Sequence, residues 1–205
     1  MHNAATLKNL LVWIAIFTAP TLWAATATEK LEKAITEVQK LTSEGRDFTQ
    51  PEHRAMLKEQ VENFFSPQHI ARRALARGWG QLSPEQQTEF VSDFSELLIL
   101  TYADQLNEGG DSKVNYLKEL PLGETRREVH TEAVSDTGSL EILYRMTMVD
   151  GEWQVYDVII EGVSLVSNYR SQFTSLLQRK GPDGLIESLS NLVEKKEKSL
   201  SVAQP

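Results

Sequence analysis

Cysteine is absent from all 205 positions. No disulfide framework can staple this chain, and no thiol can carry a lipid anchor. Histidine is scarce: beyond His2 there are only His53, His69 and His130, none paired at the spacing of a metal site. A basic excess is missing too, with 21 Lys and Arg against 29 Asp and Glu and a net charge of −8. That balance argues against sequence-independent nucleic-acid binding and against a protein held on anionic lipid by bulk electrostatics. There is no Gly-rich phosphate loop, nucleophile elbow or dinucleotide fingerprint. Internal repeats and low-complexity linkers are lacking as well.

The longest apolar run, residues 10–17, is too short to cross a bilayer as a helix. Lys8 precedes it, Pro20 breaks it, and the small residues Ala24, Ala25 and Ala27 follow. This is the pattern of a cleaved secretory signal over residues 1–27, with the cut expected after Ala27. Removing Lys8 with that segment takes the charge from −8 to −9. An exported domain without disulfides must stand on its own hydrophobic core. One domain is expected over residues 28–194, followed by a charged, flexible tail over 195–205. The mature chain is expected to make no stable insertion into a membrane.

Apolar residues at helical spacing predict helices over 29–41, 51–65, 68–77 and 84–107. Ser66-Pro67 and Ser83-Pro84 each place an N-cap before a proline at the first helical position, and Gln86 completes a capping box. Gly109-Gly110 is expected to end the fourth helix. Four strands are predicted over 113–120, 126–134, 140–149 and 152–160. Asp136-Thr137-Gly138 and Asp150-Gly151 are the expected turns. Two further helices are expected over 163–180 and 185–193, parted by Gly181-Pro182-Asp183-Gly184. Helices, then strands, then helices describe an α+β fold: a twisted antiparallel sheet of about four strands wrapped by six or seven helices.

The segment from Trp153 to Phe173 carries the most information. Strict alternation puts Trp153, Val155, Asp157 and Ile159 on one face and Gln154, Tyr156, Val158 and Ile160 on the other, so both faces are largely apolar. After Gly162 the period becomes helical, with Val163, Val166, Arg170 and Phe173 on one stripe. Such a strand and helix need an apolar counterpart, either protein core or a greasy ligand. Asp157 is the one carboxylate in the strand. It is either a proton-transfer group or, preferably, a buried acid paired with Arg145 or Arg170. Arg170 holds either Asp157 or a phosphate. Met146 and Met148 suit an adaptable apolar wall, although plain core is the commoner use of methionine.

Three blocks resemble the MlaC family of periplasmic phospholipid-binding proteins, also called toluene-tolerance carriers. The first is Ile70-Ala71-Arg72 with Leu75 and Trp79. The second is Ser83-Pro84-Glu85-Gln86-Gln87 with Phe90, Phe94, Leu97, Leu98, Thr101 and Tyr102. The strongest is Asp157, Glu161-Gly162-Val163-Ser164-Leu165, then Asn168-Tyr169-Arg170-Ser171-Gln172-Phe173. Ala76 stands where that family usually has glycine. The resemblance implies a monomeric periplasmic shuttle with no catalytic residues and no cofactor. Its cargo would be a phospholipid whose tails lie in an apolar pocket between sheet and helices. Its implied partners are an outer-membrane lipoprotein–porin complex and an inner-membrane ABC transporter with a substrate-binding ring.

The expected pocket wall takes Val129, Ile142, Tyr144, Met146, Val155 and Val158 from the sheet. From the helices it takes Phe94, Leu98, Tyr102, Val163, Val166 and Tyr169, with Asn168 and Arg170 at the mouth. Two rival readings have their own signatures. An enzyme on a cone-shaped α+β fold would pair Asp157 with His130. A periplasmic chaperone or adaptor would offer an apolar groove to polypeptide.

Overall fold

The computed structural model describes residues 25–108, 112–136 and 138–202. The expected signal segment lies almost wholly outside the described residues, as do Gly109, Gly110 and Thr137.

Helix α1 (Ala27–Ser43) starts from Thr26. The Thr26 hydroxyl accepts the Glu29 N–H at 3.1 Å, and the Glu29 carboxylate takes the Thr26 N–H at 2.7 Å. Helix α2 (Pro51–Glu62) and helix α3 (Pro67–Leu75) each begin on a proline, whose missing N–H costs nothing there. A 3-10 turn, Ala76–Gln81, leads into α4 (Pro84–Glu108), the longest of the early helices. Gln86 closes the predicted capping box on Ser83 at 2.9 and 3.2 Å.

Strands β1 (Lys113–Pro121), β2 (Arg126–Ser135), β3 (Gly138–Val149) and β4 (Glu152–Ile160) follow, then a two-residue β5 (Val163–Ser164). They form one antiparallel meander in chain order. The fifth strand was not expected. Glu161 and Gly162, at φ 48° and 80°, make a two-residue turn like that of Asp150 and Gly151, at φ 49° and 85°. Both carry the left-handed pair that a tight hairpin requires. A Glu-Gly pair is a weaker sequence signal for it than Asp-Gly.

The final helix, α5 (Leu165–Val202), begins two residues later than predicted because β5 takes Val163 and Ser164. The expected break at 181–184 is a kink: only Gly181 leaves helical geometry, at φ 72°, and Pro182 restarts the helix. The helix then continues to Val202, and Glu197 lies 3.4 Å from the Arg54 guanidinium.

The larger correction concerns β4. Its pairing with β3 shifts register between Arg145–Asp157 and Met146–Val155, leaving Tyr156 as an extra residue. Strict alternation therefore fails. Val155 and Val158 both turn to the face that carries Tyr144 and Met146, while Asp157 sits opposite Arg145 on the other face. At the bulge the chain before α3 takes up the free edge. Val155 N–H donates to the Phe64 carbonyl at 2.8 Å, and Ser66 N–H donates to the Val155 carbonyl at 3.1 Å.

Three apolar clusters result. The helical one joins α3, α4 and α5 around Phe90, Phe94, Tyr169, Phe173 and Leu189. The second lies on the inner face of the sheet under α1, with Leu31, Val129, Met146, Trp153 and Val155. A third ties α2 to α4 through Phe48, Leu57, Ile99 and Ala103. Phe65 touches both of the first two.

Candidate functional site

The inner face of the sheet is built by period-two alternation corrected by the bulge. Val129 pairs with Tyr144 and Tyr144 with Val158 across three adjacent strands, so one apolar row crosses the sheet. Met146 and Val155 form the next row and are fully buried. Tyr144, Met148, Val158 and Tyr116 pack beside them but keep part of their surface accessible. Tyr144 is the telling case. Protein surrounds its ring, and that burial, with Tyr116 as a lesser influence, pushes its hydroxyl far above the ordinary range. Burial and nearby Glu32 push Tyr116 up to about 12. Helix α4 packs chiefly on α5 and α3, while α1 lies over this face.

Of the residues predicted from sequence, Val129, Tyr144, Met146, Val155 and Val158 come together on this wall. Ile142 lies two residues along from Tyr144, half-buried, opposite Ile160. Phe94, Val166 and Tyr169 belong instead to the helical cluster, with Leu98 packed against it. Phe94 is 1% exposed and lies 5.0 Å, ring to ring, from both Tyr169 and Phe173. Tyr102 is half-buried one turn beyond Leu98, and burial with nearby Tyr169 raises its hydroxyl. Val163 is 62% exposed on β5, and Asn168 faces solvent on α5. Sequence reasoning missed Tyr116, Phe65 and Ile35. The first lies on an alternating strand whose pattern was readable; the other two reach the wall only through tertiary packing.

The outer face of the sheet is ionic. Arg145 stands between two acids: its Nε donates to Glu128 Oε2 at 2.9 Å and its Nη1 lies 3.5 Å from Asp157 Oδ2. His130 Nε2 is 2.9 Å from Glu128 Oε1. Burial tends to raise Glu128, but the Arg145 and His130 hydrogen bonds outweigh it and hold this carboxyl below the usual range. Asp157 also accepts the Ser164 hydroxyl at 2.8 Å and the Val166 N–H at 3.1 Å, and so fastens the start of α5. Of the two partners expected for Asp157, Arg145 is the one it meets; Arg170 Nε donates to the Arg73 carbonyl at 3.0 Å. Asp157 and His130 each have other partners, so the acid–base pair of the enzyme reading does not form. Among the described residues no group of three or more His, Cys, Asp or Glu is placed to hold a metal ion.

Beside this network lies a cleft of about 430 Å³, lined by Arg73, Arg126, Arg145, Tyr156, Asp157 and Arg170 together with Leu122, Val166 and Ser167. A second cleft, of about 360 Å³, sits where Ala76 and Gly78 meet Leu177. Among the described residues no helix is long and apolar enough to cross a membrane.

The family profile described as MlaC protein matches residues 29–191. The chain is 24% identical over 141 residues to the intermembrane phospholipid transport system binding protein MlaC of Haemophilus influenzae, covering 66% of each chain. It is 26% identical over 102 residues to the toluene tolerance protein ttg2D of Pseudomonas putida, covering 49% of this chain and 47% of that one. These alignments thus span about two thirds and about half of the relatives' lengths. A phospholipid-binding protein from Ralstonia solanacearum, solved in complex with a phospholipid at 1.53 Å, superposes with a TM-score of 0.77 at 24% identity. That match covers 86% of this chain and 99% of the other. This likeness establishes the α+β fold with its open antiparallel sheet.

Proposed function

Because the chain belongs to the MlaC family, we propose that it is a carrier that takes phospholipid from one membrane to another and catalyses no reaction. The observation that carries this reading is the inner face of the sheet, where Tyr144 is enclosed by protein and still accessible. The name of the Haemophilus relative, a binding protein of intermembrane phospholipid transport, and the phospholipid held by the Ralstonia protein support it.

The physical need is plain. Two acyl tails of about thirty methylenes, at ~0.8 kcal/mol each, make a bare phospholipid cost on the order of 20 kcal/mol in water. A free lipid does not cross an aqueous compartment against that barrier. A carrier removes it by offering equivalent burial, which calls for an interior of roughly 1,000 Å³ when loaded. Binding must stay near balance with a bilayer, so that contact with a partner tips the lipid on or off. In this reading the tails lie against Val129, Ile142, Tyr144, Met146, Val155 and Val158, with Leu98 and Tyr102 of α4 opposite. The lipid is cargo, not a cofactor.

The finer points belong to the same proposal. The protein works as a monomer in the periplasm after loss of residues 1–27. It exchanges lipid with an outer-membrane lipoprotein–porin complex and with the substrate-binding ring of an inner-membrane ABC transporter. The test is native mass spectrometry of gently purified mature protein. A phospholipid-sized adduct is expected; its absence defeats the carrier reading, and a bound peptide in its place favours the chaperone.

A further inference from the structure

The outer cleft holds a charge distribution that the carrier reading leaves unused. Four arginines and one carboxylate line it, in a chain whose net charge is −8. Arg145 is already matched by Glu128 and Asp157. Asp157 is in turn satisfied by Ser164 and by the Val166 N–H, so the start of α5 is capped from within. That leaves Arg73, Arg126 and Arg170, none of which forms an ion pair among the described residues. They come from α3, from the start of β2 and from α5, three segments brought together only by the fold.

Their setting is organised. The Arg73 guanidinium lies 3.9 Å from the centre of the Tyr156 ring, stacked on the bulged residue of β4, which leaves its N–H edges free to donate. Arg170 is anchored through Nε on the Arg73 backbone carbonyl at 3.0 Å, which leaves its terminal nitrogens for another acceptor. Arg126 is exposed at the rim. Planar guanidinium forks suit the oxygens of a phosphate, and a cleft of about 430 Å³ is of small-ligand size. The cleft lies on the opposite side of the sheet from the apolar wall, because Arg145 and Asp157 alternate with Tyr144 and Val158.

We propose that Arg73, Arg126 and Arg170 form a phosphoryl-anion site on the outer face, separate from the interior that would hold acyl tails. The anion is either free phosphate or the phosphate of a lipid head group offered at a membrane surface. The site does not depend on the carrier reading, since its probe has no acyl chains.

The experiment is calorimetric titration of the mature protein with sodium phosphate against sodium chloride at equal ionic strength. Saturable phosphate binding is expected, weakened at least tenfold in the Arg73→Gln/Arg126→Gln double variant and unchanged in Lys33→Gln, which alters a solvent-exposed lysine of α1. No saturable binding, or equal affinity in the double variant, overturns the proposal. Co-sedimentation with phosphatidylcholine vesicles, with and without phosphatidic acid, identifies the source. Loss of phosphatidic-acid-dependent binding in the double variant assigns the site to lipid head groups. Vesicle binding that ignores the substitutions, alongside the tenfold loss for phosphate, assigns it to the free anion.

Discussion

Arg145 and Asp157 face one another across β3 and β4, with Nη1 3.5 Å from Oδ2, while the next residues along, Tyr144 and Val158, pair on the opposite face. One step along two strands separates an ionic outer surface from the proposed lipid wall. Asp157, only 6% exposed, also holds the Val166 N–H. Replacing Asp157 with Ala leaves that donor unpaired and strips Arg145 of one partner. A loss of about 2 kcal/mol is expected in chemical denaturation. Asp157→Asn, which keeps an acceptor oxygen, is expected to lose less.

Glu128 gives the pH dependence of the same network. Its carboxyl is held low in the folded state by the Arg145 and His130 hydrogen bonds acting against burial. The stability it contributes is therefore present above its unfolded value of 4.5 and is lost as pH falls through the folded value. Glu128→Gln should be less stable than the parent at pH 7, by on the order of 1 kcal/mol. The two unfolding curves should converge as pH falls from 4.5 through the folded value. A constant difference across that range removes Glu128 as the titrating group.

The proposed lipid wall is tested at Tyr144. Tyr144→Arg places a charge on the enclosed face, where an unpaired cation and an acyl chain exclude each other. The variant should retain its far-ultraviolet circular dichroism and lose its phospholipid adduct. Leu192→Arg, at a position 39% exposed, should keep both. Full lipid loading of Tyr144→Arg would move the cargo to another face.

Phe94 sorts helical core from pocket wall. Its ring meets Phe90, Tyr169 and Phe173 at centroid distances of 5.7, 5.0 and 5.0 Å. Phe94→Ala should cost about 3–5 kcal/mol in thermal or urea unfolding, the usual loss for an emptied aromatic core site.

Ala76 adopts φ 48° and ψ −118°, a region that a side chain makes costly. Ala76→Gly should raise stability by about 1 kcal/mol. Its neighbour behaves oppositely. A Cβ on Gly78 would lie 2.5 Å from Leu177 Cδ2, so Gly78→Ala should lower the melting temperature by forcing the buried Leu177 side chain out of its place.

How much of this was legible in the sequence depended on the range of the interaction responsible. Helix starts at Pro51, Pro67 and Pro84 and the Asp150-Gly151 hairpin follow from residues within four positions of one another. The inward faces of β2 and β3 follow from simple alternation. The bulge at Tyr156 does not, because it depends on Val155 bonding to Phe64 and Ser66, some ninety positions away in the chain. Val163 and Val166 share a helical stripe in the sequence, yet the Glu161-Gly162 turn puts Val163 on a strand and leaves it outside. The arginine cleft has no periodic signature at all, since α3, β2 and α5 contribute Arg73, Arg126 and Arg170 one each.

That extra residue in β4 acts as a phase shifter. Upstream of it, odd-numbered side chains meet oil; downstream, even-numbered ones do. Deleting Tyr156 would restore one phase to the whole strand. With it gone, Trp153, Val155 and Val158 would stay inside and Asp157 outside, because these residues already alternate once Tyr156 is discounted. What the added residue supplies is the outward aromatic ring on which Arg73 rests.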